Sequence, residues 1–240
     1  RLRRPVFDRA APNRPGLAVP RTVKIYPPEC IMLKWIIAFA AVVAAAFLGT
    51  RLALRADAPA ESGPRTGAQR TTRLVRCGLI AAVYVVLCLA LQPFSYGAVQ
   101  VRIAEALCLL PVFGAEYIIG VTLGCFLANL FGSTVIDVIF GTLATLLACL
   151  VTWRLRNLRI AGLAIPASLP PVLFNAVIVG IEITVFFTDH AAASAPLWLL
   201  CVGNGISVGI GELISCTVVG VALVKLIESN RALKRIFIEK

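Results

Sequence analysis

The sequence predicts an all-α integral membrane protein, a six-helix bundle with an extra apolar helix before it, from three observations. Hydrophobic residues make up 59% of the 240 positions and charged residues only 15%. Mean hydropathy is +0.90, whereas soluble domains are about half apolar. Several apolar runs approach the roughly 20 residues that a helix needs to cross a bilayer. These features indicate a multi-pass protein with the lipid membrane as its surroundings.

Basic residues are distributed in a way typical of loops that set membrane topology. The net charge is +11, and residues 1–76 hold fourteen of the 23 Lys and Arg residues. The others stand in short runs beside apolar segments, which is the pattern of cytoplasmic loops rather than of a nucleic-acid-binding face. We therefore expect no nucleic acid partner.

Composition divides the chain into five parts. Residues 1–30 are basic, proline-containing and aperiodic, which predicts disorder. Because the only methionine is Met32, the natural start is expected there, or the upstream residues are a fragment of something else. Residues 31–50 form the extra apolar helix, 51–72 a linker, 73–230 the six-helix domain and 231–240 a basic cytoplasmic tail.

Within the six-helix domain, hydropathy and helix-breaking residues separate six segments. The second segment is short, since twelve residues reach only about 18 Å against a hydrocarbon core of roughly 30 Å. Pro170 and Pro171 are expected to open the fifth segment. The six segments are 74–92, 102–113, 115–131, 134–153, 170 to about 187, and 196–227.

The basic clusters predict the orientation. Residues 70–76, 154–159 and 231–240 carry the clusters and should all be cytoplasmic. An even number of crossings must therefore separate the first two clusters, so the stretch 102–131 crosses twice or not at all. We favour two crossings, which puts both ends of the domain in the cytoplasm and the loops 93–101 and 188–195 outside.

Arg102 and Glu105 are ionisable residues in a segment that otherwise reads as membrane interior. An ionisable side chain at the centre of a bilayer costs about 2.5–3.5 kcal/mol on insertion scales. Three residues apart on a helix, the two can pair. They either form a structural ion pair that locks two helices or line a polar cavity, and both can hold together.

Further polar side chains occur at one or two per helix and should converge, because each would be unsatisfied in lipid. Such a set suits recognition of a small polar molecule with several donors and acceptors. Asn175 and Glu182, seven residues apart, project from the same helix face. Phe94, Tyr96 or Trp198 could stack on a ring of that molecule. The candidate substrate-binding residues are Arg102, Glu105, Asn129, Asp137, Asn175, Glu182, Asn204, Glu212 and Tyr96.

Signatures of enzymes and of metal sites are absent from the sequence. There is no G-x-x-x-x-G-K-[ST], H-E-x-x-H or G-x-S-x-G, and the single histidine, His190, lies in a polar loop. The eight cysteines include no C-x-x-C and are interpreted as small apolar fillers of helices. We expect no enzyme activity, no cofactor and no metal.

Small residues four apart allow close approach of another helix. The first segment has two such pairs, Cys77 with Ala81 and Gly78 with Ala82. The third segment has a longer ladder of Gly120, Gly124 and Ala128.

Four motifs carry a resemblance to a known family. They are QVRIAEAL at 100–107, ANLF at 128–131 with DVIFGTLATL at 137–146, PVLFNAVIVG at 171–180, and GIGELISCTVVG at 209–220. Together, and in this order, they resemble the QueT family of substrate-binding (S) components of energy-coupling factor (ECF) transporters, which are associated with uptake of queuosine precursors. The resemblance covers about residues 73–228, and the apolar run 31–49 departs from it.

The resemblance implies an S component in the cell membrane that docks on a transmembrane coupling subunit through Cys77/Ala81 or Gly78/Ala82. Two ATPase subunits would supply energy. The S component would take substrate from outside behind the gate 93–101 and topple to release it. The ligand would be a 7-deazaguanine whose ring edge a carboxylate reads, and an aminomethyl group would add a cation for a second carboxylate.

Three alternatives stay open. The chain could be an S component for another vitamin-like solute. It could be an ion-coupled secondary transporter with Glu105, Asp137 or Glu182 as its proton site. It could also be a membrane scaffold without cargo.

Overall fold

The computed structural model describes residues 67–91, 101–188 and 195–238, and in these ranges the chain is helical apart from turns and one isolated bridge between Ile160 and Leu163. The segments predicted at 1–30 and 31–50 lie outside the described residues. So do most of the linker and of the two predicted outer loops.

The described elements follow the order expected from hydropathy. In the described ranges they are seven α-helices, one inner 3₁₀ helix and two stretches of wider π-helical turns. In chain order they are α1 (Gly67–Ala90), the inner 3₁₀ helix (Ile103–Val112), α2 (Glu116–Gly132), α3 (Val135–Arg154), α4 (Ile165–Glu182) with the first π segment (Ile183–Phe187), α5 (Leu197–Glu212) with the second π segment (Leu213–Gly220), α6 (Val221–Ser229) and α7 (Arg231–Phe237).

Four helical stretches in the described part of the chain are long and apolar enough to cross a membrane. They are Thr71–Ala90, Val135–Arg154, Ile165–Phe187 and Leu197–Ser229, and two shorter apolar helices, Ile103–Val112 and Glu116–Gly132, lie between the first and the second. The prediction of an all-helical, multi-pass membrane protein is thereby confirmed.

Helix α1 begins at Gly67, whereas the sequence predicted a linker up to residue 72 and an apolar helix from residue 74. The difference arises because hydropathy marks the part of a helix that can enter lipid. The polar residues before it, such as Arg and Gln, are good helix formers in water.

The inner 3₁₀ helix is unusual because 3₁₀ runs are rarely longer than four residues. Its ten residues rise about 20 Å at 2.0 Å each, and nine consecutive ones from Ala104 to Val112 are buried. A helix buried all round has no polar face to show, which explains why its only charged residue is Glu105.

Helix α4 begins at Ile165, so Pro170 and Pro171 lie inside it instead of opening it as predicted. A proline removes the N–H that would bond the carbonyl four residues earlier. For Pro171 that carbonyl belongs to Ala167, and the Thr152 hydroxyl of α3 donates to it at 2.9 Å. A side chain from a neighbouring helix thus satisfies the group that the proline leaves free.

The small-residue ladder of α2 packs against α1. A Cβ added at Gly124 would lie 2.7 Å from Cβ of Tyr84 and 3.0 Å from Cα of Ala81. One added at Gly120 would lie 3.0 Å from the carbonyl oxygen of Cys77. The two backbones therefore approach as closely as glycine permits.

Polar contacts join the basic clusters at one end of the bundle, the basic end. Arg159 pairs with Glu228 at 2.8 Å, and the Arg76 guanidinium donates to the carbonyl of Arg235 at 3.5 Å. Glu116, at the start of α2, lies 4.0 Å from Arg73. These contacts place the three basic clusters at the same end of the bundle, and their cytoplasmic location stays a prediction. The helices run from there to the opposite end, where α2 ends and α3 begins.

Candidate functional site

An ion pair near the opposite end is the first part of the candidate site. The Arg102 guanidinium donates to Oδ2 of Asp137 at 3.1 Å, and the two side chains are 23% and 8% exposed. Arg102 lies just before the inner 3₁₀ helix and Asp137 in the first turn of α3, so this pair ties the two elements together.

The turn between α2 and α3 holds the Asp137 carboxylate in place. Thr134 caps α3, its hydroxyl accepting from the N–H of Asp137 at 3.3 Å, and the Ser133 hydroxyl donates to Oδ2 of Asp137 at 2.5 Å. Asn129 donates to the Asp137 carbonyl at 3.2 Å and to the sulfur of Cys125 at 3.5 Å. Asn129 therefore supports the ion pair.

Glu105 does not pair with Arg102, and this sequence-based interpretation is wrong. Arg102 has extended backbone angles (φ −94°, ψ 90°), so the two residues do not share a helical face. The carboxylate of Glu105, 1% exposed, instead accepts from the Tyr84 hydroxyl at 2.5 Å and from the Cys108 thiol at 2.9 Å. The guanidinium of Arg102 pairs instead with the carboxylate of Asp137 in α3.

A cleft opens beside Arg102 between the inner 3₁₀ helix, α4 and α5. Its cavity volume is only about 10 Å³, close to the room for one water molecule, and it is lined by Arg102, Asn175, Val179, Val208 and Glu212. One guanidinium, one amide and one carboxyl group thus face an otherwise apolar hollow. Ligand sites commonly have this composition, because a few polar groups orient a molecule that apolar walls enclose.

Some buried polar atoms have no hydrogen-bond partner in the described part of the chain, and one of them belongs to Asn175, which lines the cleft. They include Nδ2 of Asn175, Oε2 of Glu182 and Oγ of Ser215. Asn175 and Glu182 are each only 3% exposed. Because a buried donor or acceptor without a partner costs about 1–3 kcal/mol, such groups indicate a place where something else binds.

The carboxylates of Glu182 and Glu212 each stand immediately before a π segment. Ile183–Phe187 follows the first and Leu213–Gly220 the second. Wider π turns are often found at functional sites, where they change the direction of the side chains around them. In the second π segment the Cys216 thiol has two acceptors for its single proton, Oε2 of Glu212 at 3.3 Å and the Glu105 carbonyl at 3.2 Å.

The predicted set is therefore brought together in part. The structure places Arg102, Glu105, Asn129, Asp137, Asn175, Glu182 and Glu212 in the interior of the bundle. Asn204 is only partly buried, and its amide donates to Oγ1 of Thr184 at 3.0 Å, so it joins α5 to the first π segment. Tyr96 lies outside the described residues.

The two predicted docking pairs on α1 face different ways. Ala81 is 4% exposed, and both it and Cys77 pack against the glycines of α2, so this pair is used inside the fold. Gly78 and Ala82 are exposed, and a Cβ at Gly78 would have no neighbour within 4 Å. Of the two, only Gly78/Ala82 stays available as a docking surface.

Sequence reasoning missed three groups that complete the site. Tyr84 is the donor to Glu105, and Cys108 and Cys216 donate thiol hydrogen bonds, so these cysteines are more than apolar fillers. A signal existed, because each cysteine stands three or four residues after a buried glutamate, where helical neighbours meet. For Tyr84 the sequence contains no such signal, since its partner Glu105 is 21 residues away.

In the described ranges, no group of three or more His, Cys, Asp or Glu side chains is placed to hold a metal ion. A guanidinium, several carboxyls and an amide can recognise a small polar molecule by its donors and acceptors.

Fold and cleft together define a multi-pass membrane protein with a polar hollow between its helices, the architecture of a protein that handles a small solute. The family model described as "QueT transporter" matches residues 74–229, and the chain belongs to this family. It is a family of transporters and not of enzymes.

One curated relative supports the same assignment. The chain is 40% identical over 79 residues to the "Queuosine precursor transporter QueT" of Lactococcus lactis subsp. cremoris (strain MG1363). The aligned stretch covers 32% of this chain and 47% of the relative, so the chain spans about half the length of the curated relative that it matches. No solved structure matches the chain.

Proposed function

We propose that the chain is the substrate-capturing S component of an ECF-type uptake transporter and that its substrate is a queuosine precursor of the 7-deazaguanine class. Separate ATPase subunits hydrolyse ATP, and a transmembrane coupling subunit joins them to this chain. The observation that carries the proposal is the cleft beside Arg102, in which a buried amide donor has no partner.

The groups in the cleft match the edge of a guanine-like ring. That edge offers adjacent N–H donors and one carbonyl oxygen. The carboxylate of Glu212 can accept from two N–H groups, and the free Nδ2 of Asn175 can donate to the carbonyl. The cleft is too small for such a ring as it stands, so α4 and α5 must move apart to admit the ligand, and Val179 and Val208 would then cover the ring faces. The printed name of the relative, a queuosine precursor transporter, supports the same ligand class.

Six crossings follow from the same proposal. The inner 3₁₀ helix and α2 run in opposite directions between α1 and α3, and the basic end faces the cytoplasm by the positive-inside rule. Both ends of residues 73–230 are then cytoplasmic, and the cleft opens toward the outside.

Binding is tested by ligand-dependent thermal stabilisation of the full chain in detergent. We expect 7-aminomethyl-7-deazaguanine to raise the unfolding temperature, since ligand at a hundred times its Kd adds about 2.7 kcal/mol to the stability of the folded state. Asn175→Ala should weaken binding about tenfold or more, because one well-placed hydrogen bond is worth about 1.4 kcal/mol here.

The matched control is Asn230→Ala at the basic end, where the side chain only caps α7. This variant should bind the ligand like the wild type. Absence of stabilisation by any 7-deazaguanine would contradict the ligand class. A different solute copurified with the chain and identified by mass spectrometry would then make this an S component for another vitamin-like molecule.

Docking on the coupling subunit is expected through Gly78 and Ala82. Ala82→Leu should reduce copurification of the coupling subunit and leave ligand binding unchanged, because Ala82 is exposed and does not line the cleft. Ala222→Leu, also an exposed position, is the matched control. Copurification of the Ala82→Leu variant at the wild-type level would place the docking surface elsewhere.

A further inference from the structure

Carboxyl groups outnumber cations in the site. Arg102 is the only Lys or Arg in residues 77–153 and 160–224, and the same stretches contain Glu105, Asp137, Glu182 and Glu212 as interior carboxyls. Their other acidic residues are Glu116, at the basic end, and Asp189, in a loop outside the described residues. Four buried carboxyls therefore share one guanidinium.

The hydrogen bonds show which of the four carboxylates has the fewest hydrogen-bond donors. Asp137 receives the guanidinium directly, Glu105 receives a hydroxyl and a thiol, and Glu212 receives a thiol. Oε2 of Glu182 has no partner in the described part of the chain, although the residue is 3% exposed. Neutral donors satisfy oxygen lone pairs, but they do not balance charge.

Glu182 is also placed where a bound molecule can reach it. Asn175, Val179 and Glu182 follow one another on the same face of α4 at spacings of four and three residues. The first two line the cleft, so Glu182 stands about one turn beyond them, toward the end of the bundle where α2 ends and α3 begins. The unpartnered Nδ2 of Asn175 marks the same path as a site for a ligand.

From this arrangement we propose that the site binds its ligand as a cation, with Glu182 receiving an ammonium group while Asn175 and Glu212 contact the uncharged ring. An amine on the ligand supplies the positive charge that the chain itself lacks at this place, and a charge-assisted hydrogen bond to Oε2 is stronger than a neutral one. This inference rests on the proposed function and adds to it a preference for amine-bearing precursors.

The test compares two probes with the same ring, 7-aminomethyl-7-deazaguanine and 7-cyano-7-deazaguanine, of which only the first carries a positive charge. Dissociation constants are measured by isothermal titration calorimetry on the full chain in detergent. We expect the amine to bind at least about tenfold more tightly than the nitrile.

The variant Glu182→Gln keeps the shape of the side chain and removes its charge. It should weaken binding of the amine about tenfold or more and leave the affinity for the nitrile nearly unchanged. Glu228→Gln, at the basic end, removes a carboxylate far from the cleft and should change neither constant. Glu182→Asp, which restores the charge, should recover part of the preference.

The outcomes separate this inference from the proposed function. Equal affinity of the wild type for the two probes overturns the preference for a cation, while the assignment to a 7-deazaguanine stands. An amine preference that Glu182→Gln leaves intact overturns the role of Glu182. If neither probe binds, both the proposed function and this inference fail. If Glu182→Gln folds poorly, the comparison of the two probes on the wild type still decides whether the site prefers a cation.

Discussion

Arg102→Gln is expected to lower the thermal stability of the protein more than any other single change of a charged residue. Asp137 is 6% exposed and would keep a buried negative charge without its cation. Removing one partner of a buried ion pair costs about 3–5 kcal/mol. The Arg102 side chain is 23% exposed, so solvent screens part of this loss and the lower figure applies.

The measurement is thermal unfolding in detergent, and the chain provides its own control. Arg159 pairs with Glu228 at 2.8 Å with both side chains more than a quarter exposed, and Arg159→Gln should cost less than about 1 kcal/mol. The double variant Arg102→Gln/Asp137→Asn should recover much of the stability, because it leaves no unpaired charge. A single variant as mild as Arg159→Gln would show that the pair does not hold the 3₁₀ helix to α3.

Gly124→Ala is expected to have the second large effect, through packing alone. The added Cβ would lie 2.7 Å from Cβ of Tyr84 and 3.0 Å from the backbone of Ala81. Neither atom lies at the end of a flexible side chain, so helices α1 and α2 must separate. Overpacking of this kind costs about 1–3 kcal/mol.

Gly78→Ala is the matched control on the exposed side of α1, where the new Cβ meets nothing within 4 Å. Alanine is favoured over glycine in a helix by about 1 kcal/mol, so this variant should be as stable as the wild type or more so. Both are compared by unfolding in detergent. If Gly124→Ala proved as stable as Gly78→Ala, α1 and α2 would not be in tight contact.

These variants also show where sequence reasoning reaches its limit. Cys77/Ala81 and Gly78/Ala82 have the same spacing and the same small size, so sequence could not say which pair faces a partner. Only the position of α2 decides it, because α2 covers the first pair and leaves the second exposed. The prolines at 170 and 171 were misread for a related reason. The group that bonds the carbonyl left free by Pro171 is the Thr152 hydroxyl, which comes from another helix.

By itself, the sequence determined the membrane class, the order of the apolar segments and the grouping of the basic residues into three clusters. These features follow from local hydropathy and from the positions of the charged residues. Neither requires knowing which residues are in contact in the fold. The tertiary structure alone decided that Arg102 pairs with Asp137, that Tyr84 serves Glu105 and that Asn175 and Glu182 have free polar atoms. The physical reason is that each of these contacts, or its lack, depends on residues far apart in the chain, whose distances are set by how the helices pack.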